Sequence, residues 1–242
     1  MTKTIIKSIE SNKAEFVNKM FARIATKYDL LNNLMTLGFH KKWKEKAIKL
    51  ALSENNTPIH ALDLCCGSGD LAILLQKYSP KSMITCLDNC QEMLNITNKK
   101  IKTLGINNIT VELADCENLN ISPSSIDLIT IGFGLRNLIN REKCLHSFLK
   151  MLTPGSVFAC IDLAYPENPI WSTIYNFYFF KIIPLLGKLF AKDIEAYTYL
   201  PTSLLSWYKQ NELKELLVKT GFKKSYYENI FGGIAAIHIA VK

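Results

Sequence analysis

One stretch, Ile59-His-Ala-Leu-Asp-Leu-Cys-Cys-Gly-Ser-Gly-Asp-Leu71, constrains the fold more than any other part of the chain. An apolar run carries an acid, Asp63, and then breaks into Gly67-Ser68-Gly69. The run reads as a buried strand and the break as a tight turn into a helix. In a βαβ unit such a turn sets bare backbone and a helix N-terminus beside a bound nucleotide, because no Cβ blocks the approach and free N–H groups point outward. A nucleoside-like ligand is expected.

Two ligand classes fit the turn. Gly67-Ser68-Gly69-Asp70-Leu71-Ala72 matches G-x-G-x-x-[GA], and Asp88 closes a second apolar run about 20 residues on, where a ribose hydroxyl acceptor sits in dinucleotide folds. Asp63 points the other way. A carboxylate beside the turn repels a pyrophosphate but welcomes the ammonium and sulfonium of S-adenosylmethionine. The order of acid and glycines favours that cofactor over NAD.

From residue 59 onward strands and helices alternate, as in a doubly wound α/β sheet. Strands are predicted at 59–64, 83–88, 108–113, 126–132 and 156–162, with helices near 69–78, 90–103 and 141–152, the last stopped by Thr153-Pro-Gly155. Runs 222–230 and 234–241, separated by Gly232-Gly233, read as a closing antiparallel hairpin. Ligands in such sheets bind beyond the carboxyl ends of the strands. That rule selects Asp63 with the glycine turn, Asp88 for the ribose hydroxyls, Asp115 in Ala114-Asp-Cys-Glu117 for an adenine amine, and Gly132-Phe-Gly-Leu-Arg-Asn137. Each acid also fits a helix N-cap. Arg136 suits a substrate oxyanion, or an ion pair with Glu142 or another acid. The fourth strand is followed neither by the Asn-Pro-Pro-aromatic run of nucleobase amino methylation nor by a Pro-Cys nucleophile.

Ahead of the sheet, residues 8–26 carry an apolar stripe of Ile9, Phe16, Val17, Met20, Phe21 and Ile24, which predicts a helix packed on the core. Tyr28, Asp29, Asn32 and Asn33 interrupt it, and a second helix is expected over 39–52. Residues 1–58 hold 11 Lys/Arg against 5 Asp/Glu, so most of the +8 charge of the 242-residue chain lies here. Lys41, Lys42, Lys44, Lys46 and Lys49 surround Trp43 and suit a solvated helix face, or else an anionic bilayer ahead of nucleic acid. Seven scattered cysteines without C-x-x-C spacing argue against zinc and disulfides, and the first residues lack an apolar signal core, so a cytoplasmic setting is expected. The aromatic stretch 170–190 nears the length of a membrane span, but Lys181, Pro184, Gly187 and Lys188 interrupt it. It reads as helices covering an apolar groove.

Several motifs together carry a family likeness. Lys27-Tyr-Asp-Leu-Leu-Asn-Asn-Leu-Met35, Gly38-Phe-His-Lys-Lys-Trp43, Asp63-Leu-Cys-Cys-Gly-Ser-Gly-Asp70, Ile131-Gly-Phe-Gly-Leu-Arg-Asn137 and Tyr197-Thr-Tyr-Leu200 resemble the ubiquinone/menaquinone biosynthesis C-methyltransferases from about residue 16 onward. The resemblance implies a class I S-adenosylmethionine-dependent methyltransferase: a Rossmann-like seven-stranded sheet, order 3-2-1-4-5-7-6, in a single domain. An N-terminal helical extension spans 1–58, cofactor-binding units 59–163, a helical lid 164–205, and a last helix and hairpin 206–242.

By position it implies cofactor contacts at Ser68, Asp88, Asp115, Cys116 and Gly132, beside Asp63, Gly67 and Gly69. It also supports Arg136 and Tyr28 as members of a catalytic network that needs no metal, and Asp29, beside Tyr28, can complete that network. The implied partner is a polyprenyl quinol met at the inner face of the cell membrane, with no nucleic acid; a homodimer is a further expectation. Cys65-Cys66 replaces the family's usual Ala-Gly or Gly-Cys, Gly132 replaces a serine, and Leu204-Leu-Ser-Trp-Tyr208 lacks an aromatic- or His-Pro step.

Overall fold

Strand β1, His60–Leu64, is apolar on both faces because both are covered, which is how parallel strands in the middle of a sheet read. It pairs in parallel with β2 (Met83–Asp88) on one side and β4 (Ile126–Gly132) on the other. The computed structural model describes residues 13–55, 57–183 and 194–242, without the side chains of 194–198 and 200. Ile9 and the first residues of the predicted N-terminal helix, Pro184, Gly187 and Lys188, and the Tyr197 side chain lie outside the described residues. Adding β3 (Ile109–Leu113), β5 (Leu152–Leu163), β6 (Lys224–Ile230) and β7 (Ala235–Val241) completes the order β3-β2-β1-β4-β5-β7-β6. The fold is the seven-stranded one expected. β7 runs antiparallel to both β5 and β6 and lies between them.

Most strand boundaries fall within two residues of those expected. β5 differs: it begins at Leu152, ahead of Thr153-Pro-Gly155, because Leu152 already pairs with Ile126. The register then jumps to Leu128 with Val157, so the Pro-Gly turn is a bulge inside the strand rather than the gap before it.

Helices cover both faces. In the N-terminal extension, α1 (Lys13–Ile24) and α2 (Tyr28–Thr36) put Met20, Ile24 and Leu31 into the core layer that holds Ile129, Leu135 and Phe148. The next helix, α3 (Phe39–Glu54), packs Trp43, Ala47, Ile48 and Ala51 on the opposite face against Leu71, Leu75 and Ala61. Ile48 is wholly buried, a placement worth about 1.5–3 kcal/mol for such a side chain. Residues 28–36 are thus a helix of their own, set off by a 3₁₀ turn at Ala25–Lys27 and by left-handed backbone at Leu37 and Gly38. The extension therefore passes over the carboxyl ends of the strands.

The same helix alters the reading of the lysine cluster. Lys44 is buried and paired with Asp70, Lys46 pairs with Glu228 and Lys49 with Glu45. Of the five, Lys41 and Lys42 are exposed and, among the described residues, outside such pairs. Helices α4 (Asp70–Tyr78), α5 (Gln91–Leu104) and α6 (Arg141–Met151) follow β1, β2 and β4, and past β5 helix α7 (Pro169–Phe177) continues as a π-turn over Tyr178–Ile182. Among the described residues, no helix is long and apolar enough to cross a membrane.

Candidate active site

Between β1 and helix α4 (Asp70–Tyr78) the chain turns through Cys65–Gly69. Gly69 has φ +78°, and a Cβ there would meet Thr97 Cγ2 at 2.6 Å, so no other residue fits without displacing helix α5 (Gln91–Leu104). Thr97 in turn donates its hydroxyl to Gly67 O at 2.7 Å and holds the turn from below. Cys65 and Phe133, at the ends of β1 and β4, both have positive φ, a strained conformation for bulky side chains that recurs where a site dictates the backbone.

Asp63 is buried directly behind the turn. Its carboxylate accepts from Ala72 N–H at 3.2 Å and from the Thr130 hydroxyl at 2.8 Å. Burial lifts its pKa to about 7 against the pull of those two bonds. Asp88 closes β2 and accepts from Gly67 N–H and Cys90 N–H, each at 2.9 Å. Burial raises its carboxyl as well. Past β3, Asp115 accepts from Glu117 N–H and from the Asn118 amide within a turn that leads directly to β4, so it caps no helix. Its neighbour Cys116 is buried against Cys65, and the thiol–thiol hydrogen bond, followed by burial, pushes the Cys65 thiol far up.

Tyr28, Asp63, Gly67, Ser68 and Gly132 share the walls of a small cavity of about 20 Å³. A Cβ on Gly132 would meet Leu71 Cδ1 at 2.7 Å, so a serine there requires Leu71 to move. Asp88 joins this group through the Gly67 backbone. Asp29 joins it from outside: its carboxylate accepts the Ser68 hydroxyl at 2.7 Å and pairs with Lys100 at 2.7 Å. That places Asp29 on the glycine turn rather than beside Arg136. A larger hollow of about 470 Å³, lined by Ser53, Asp127 and Thr153 among others, lies at the opposite end of the sheet. There Asp127 is committed to Ile59 and His60 N–H, and α/β sheets do not bind ligands at that end.

Arg136 sits in a 3₁₀ turn, Leu135–Asn137, after β4, and is 4% exposed. The ion pair weighed in the sequence is present, with Asp162 rather than Glu142 as the acid. Nη1 reaches Asp162 Oδ1 at 2.5 Å, the Arg136 backbone N–H reaches Oδ2 at 3.2 Å, and Nη1 also donates to Phe133 O at 2.6 Å. Burial opposes the charge, but Asp162 outweighs it and keeps the guanidinium firmly protonated. Tyr28 lies within electrostatic reach of the same guanidinium. The Arg136 carbonyl accepts from Lys13 and Arg141, so two further cations pin the turn.

Asp162 and Lys100 escape a strand-end inspection that stops at β4. Asp162 is nevertheless the single acid in the apolar run ending β5, and carrying the same rule one strand further reaches it. Lys100 gives no such signal, because a lysine on a surface helix is ordinary.

The cleft holds two buried carboxylates and a glycine turn. That donor set suits an ammonium and ribose hydroxyls and repels pyrophosphate, so it fits S-adenosylmethionine better than a dinucleotide. Together with the strand order, it defines a class I methyltransferase. More narrowly, the chain belongs to the ubiE/COQ5 methyltransferase family, which it matches over residues 7–242. A ubiquinone/menaquinone biosynthesis C-methyltransferase, UbiE, of Blochmanniella floridana is 38% identical over 95% of this chain and 91% of its own. A demethylmenaquinone methyltransferase of Leptospira interrogans is 36% identical over 95% and 94%. A solved SAM-dependent methyltransferase of Thermotoga maritima, described as a possible histamine N-methyltransferase, shares the fold with a TM-score of 0.65. It is 16% identical, with coverage of 93% of this chain and 99% of its own.

Proposed function

We propose that this enzyme transfers a methyl group from S-adenosylmethionine to a ring carbon of a polyprenyl quinol, with demethylmenaquinol as acceptor; the equivalent ubiquinone-pathway benzoquinol is the second reading. The observation that carries it is a buried, permanently charged Arg136 at the end of β4, in a chain whose relatives are named for these two reactions. S-adenosylmethionine, when bound, supplies an electrophilic methyl on a sulfonium. Asp88 keeps lone pairs for ribose hydroxyls beyond those used by Gly67 and Cys90, Asp63 faces the ammonium, and Asp115 takes the adenine amine. Ser68, Gly69, Cys116 and Gly132 shape the walls around them.

A quinol attacks through carbon once its hydroxyl loses a proton, because the oxyanion feeds electron density to the adjacent ring carbon. Arg136 stays protonated and so acts by attracting the oxyanion, not as a base. Tyr28, at the cleft wall, orders the acceptor for that proton.

The acceptor is a membrane lipid, and the surface suits a peripheral position at the inner face of the membrane. Ile170, Ile174 and Phe177 stand exposed along one side of α7, followed by Lys181. Trp171 donates to Phe231 O, and Phe231 packs on Phe39 with ring centroids 5.1 Å apart, joining that side to exposed apolar groups beside Lys41 and Lys42. Anaerobic assays with reduced and oxidised prenylated naphthoquinone and labelled S-adenosylmethionine test the chemistry. Methyl incorporation is expected with the quinol alone; equal incorporation into the quinone, with reductant absent, removes the oxyanion step and the role given to Arg136.

A further inference from the structure

We infer that Lys100 is a positioning residue for methyl transfer, holding Asp29, and through it Tyr28, in register with the cofactor turn. This rests on the methyl-transfer reading of the cleft. Four side chains from four separate segments alternate in charge: Asp29 on α2, Lys100 on α5, Asp70 at the start of α4 and Lys44 on α3. Lys100 Nζ lies 2.7 Å from Asp29 and 2.8 Å from Asp70, and Lys44 lies 2.8 Å from the other Asp70 oxygen. Burial opposes the charge on Asp70, but the two lysines prevail and keep its carboxyl below the usual range.

The two acids depend on Lys100 unequally. Without it, Asp70 retains Lys44 and the cofactor turn keeps a cation at the start of α4. Asp29 retains the Ser68 hydroxyl and loses the charge that separates it from Asp70, so two carboxylates then face each other across the gap. Like charges at that range disfavour the closed arrangement. The segment freed is the one that carries Tyr28, the residue just before Asp29 and part of the cleft wall.

The network is not chiefly a device for stability. Asp29 is 39% and Lys100 27% exposed, and ion pairs so open to solvent contribute little to folding. Placement is another matter, because reacting groups displaced by about 1 Å lose rate on the order of 100-fold. The loss should therefore appear in kcat and in the quinol KM while the fold and cofactor affinity survive.

The full-length Lys100→Met, Lys100→Arg, Asp29→Asn and Lys100→Met/Asp29→Asn variants test this with S-adenosylmethionine affinity by calorimetry, thermal melting and steady-state methyl transfer to reduced prenylated naphthoquinone. Lys100→Met is expected to lower kcat/KM for the quinol about tenfold or more, with cofactor Kd within threefold and Tm nearly unchanged. Lys100→Arg restores most of the rate, and the double variant is no worse than the poorer single one, since both changes cut the same link. Unchanged turnover in Lys100→Met, losses that add in the double variant, or cofactor affinity and rate falling together without rescue by arginine each overturn the proposal. Absence of methyl transfer by the unaltered enzyme refutes the reading of the cleft instead.

Discussion

Asp162 grips Arg136 twice, one carboxylate oxygen on the guanidinium and the other on the backbone N–H of the same residue. Charge and backbone are thereby fixed together, so the turn after β4 cannot rotate without breaking a buried ion pair. Removing one partner of such a pair leaves an uncompensated charge. Asp162→Ala should cost about 3–5 kcal/mol of unfolding free energy, read by urea denaturation. Replacing both, as Arg136→Met/Asp162→Leu, should recover much of that stability while leaving the enzyme inactive. A double variant with substantial turnover would separate the pair from the chemistry.

Asp88→Ala should weaken S-adenosylmethionine binding by about 1–3 kcal/mol through lost charge-assisted hydrogen bonds. The same change frees Gly67 N–H and Cys90 N–H, so the off-rate should rise more than the on-rate falls. Calorimetry with stopped-flow binding checks both. Unchanged affinity in a folded variant assigns Asp88 to holding the turn alone.

If Asp63 faces the cofactor's ammonium as proposed, binding should depend on pH. The native Asp63 pKa of about 7 lies above the 3.8 of the free group, so between those values the folded chain holds a proton that the unfolded chain has released. Stability contributed by this residue therefore falls as pH rises from about 4 to 7, and Asp63→Asn should melt higher than the parent at pH 8 with little difference at pH 4. Cofactor affinity should move oppositely, strengthening from pH 6 to 8 as the carboxylate ionises opposite the ammonium. Calorimetry in buffers of different ionisation enthalpy should reveal the proton released on binding. An Asp63→Asn variant with parental affinity and pH profile excludes this role.

Vesicle sedimentation separates the lysines by their partners. Lys41→Gln/Lys42→Gln should weaken binding to anionic vesicles, and added salt should do the same, because these two exposed lysines carry no ion pair among the described residues. Lys46→Gln should matter less, as Lys46 already faces Glu228. Phe177→Ser should reduce binding whatever the lipid charge. Equal binding of the parent to neutral and anionic vesicles would remove the electrostatic component.

The sheet was readable because its central strands are covered on both faces, and their apolar runs stop at the Gly67-Ser68-Gly69 turn, Asp88 and Gly132. Boundaries slipped where pairing outlasts the hydrophobic signal, as at Leu152, which joins β4 before a Pro-Gly bulge that looks like a loop. Within the cleft, glycines and strand-end acids could be found one at a time, since each is dictated by its own strand. Partnerships could not. Arg136 with Asp162, and Asp29 with Ser68 and Lys100, join residues far apart in the chain, and no local pattern says which of several acids a given cation will meet. Lys44 shows the cost of reading charge by neighbourhood: in a run of lysines it looks solvated, yet the helix turns it inward onto Asp70.

The position of β7 bears on how the protein is made. Residues 235–241 fill the slot between β5 and β6, strands completed earlier in synthesis. Until they leave the ribosome, β5 offers an open apolar edge with nothing alongside it and β6 has no sheet to join. The emerging chain can build β3-β2-β1-β4-β5 early, but the edge of β5 must stay open, and β6 unpaired, or borrow a partner. A nascent chain stalled before residue 235 should be a ready client for a chaperone that binds exposed strand edges.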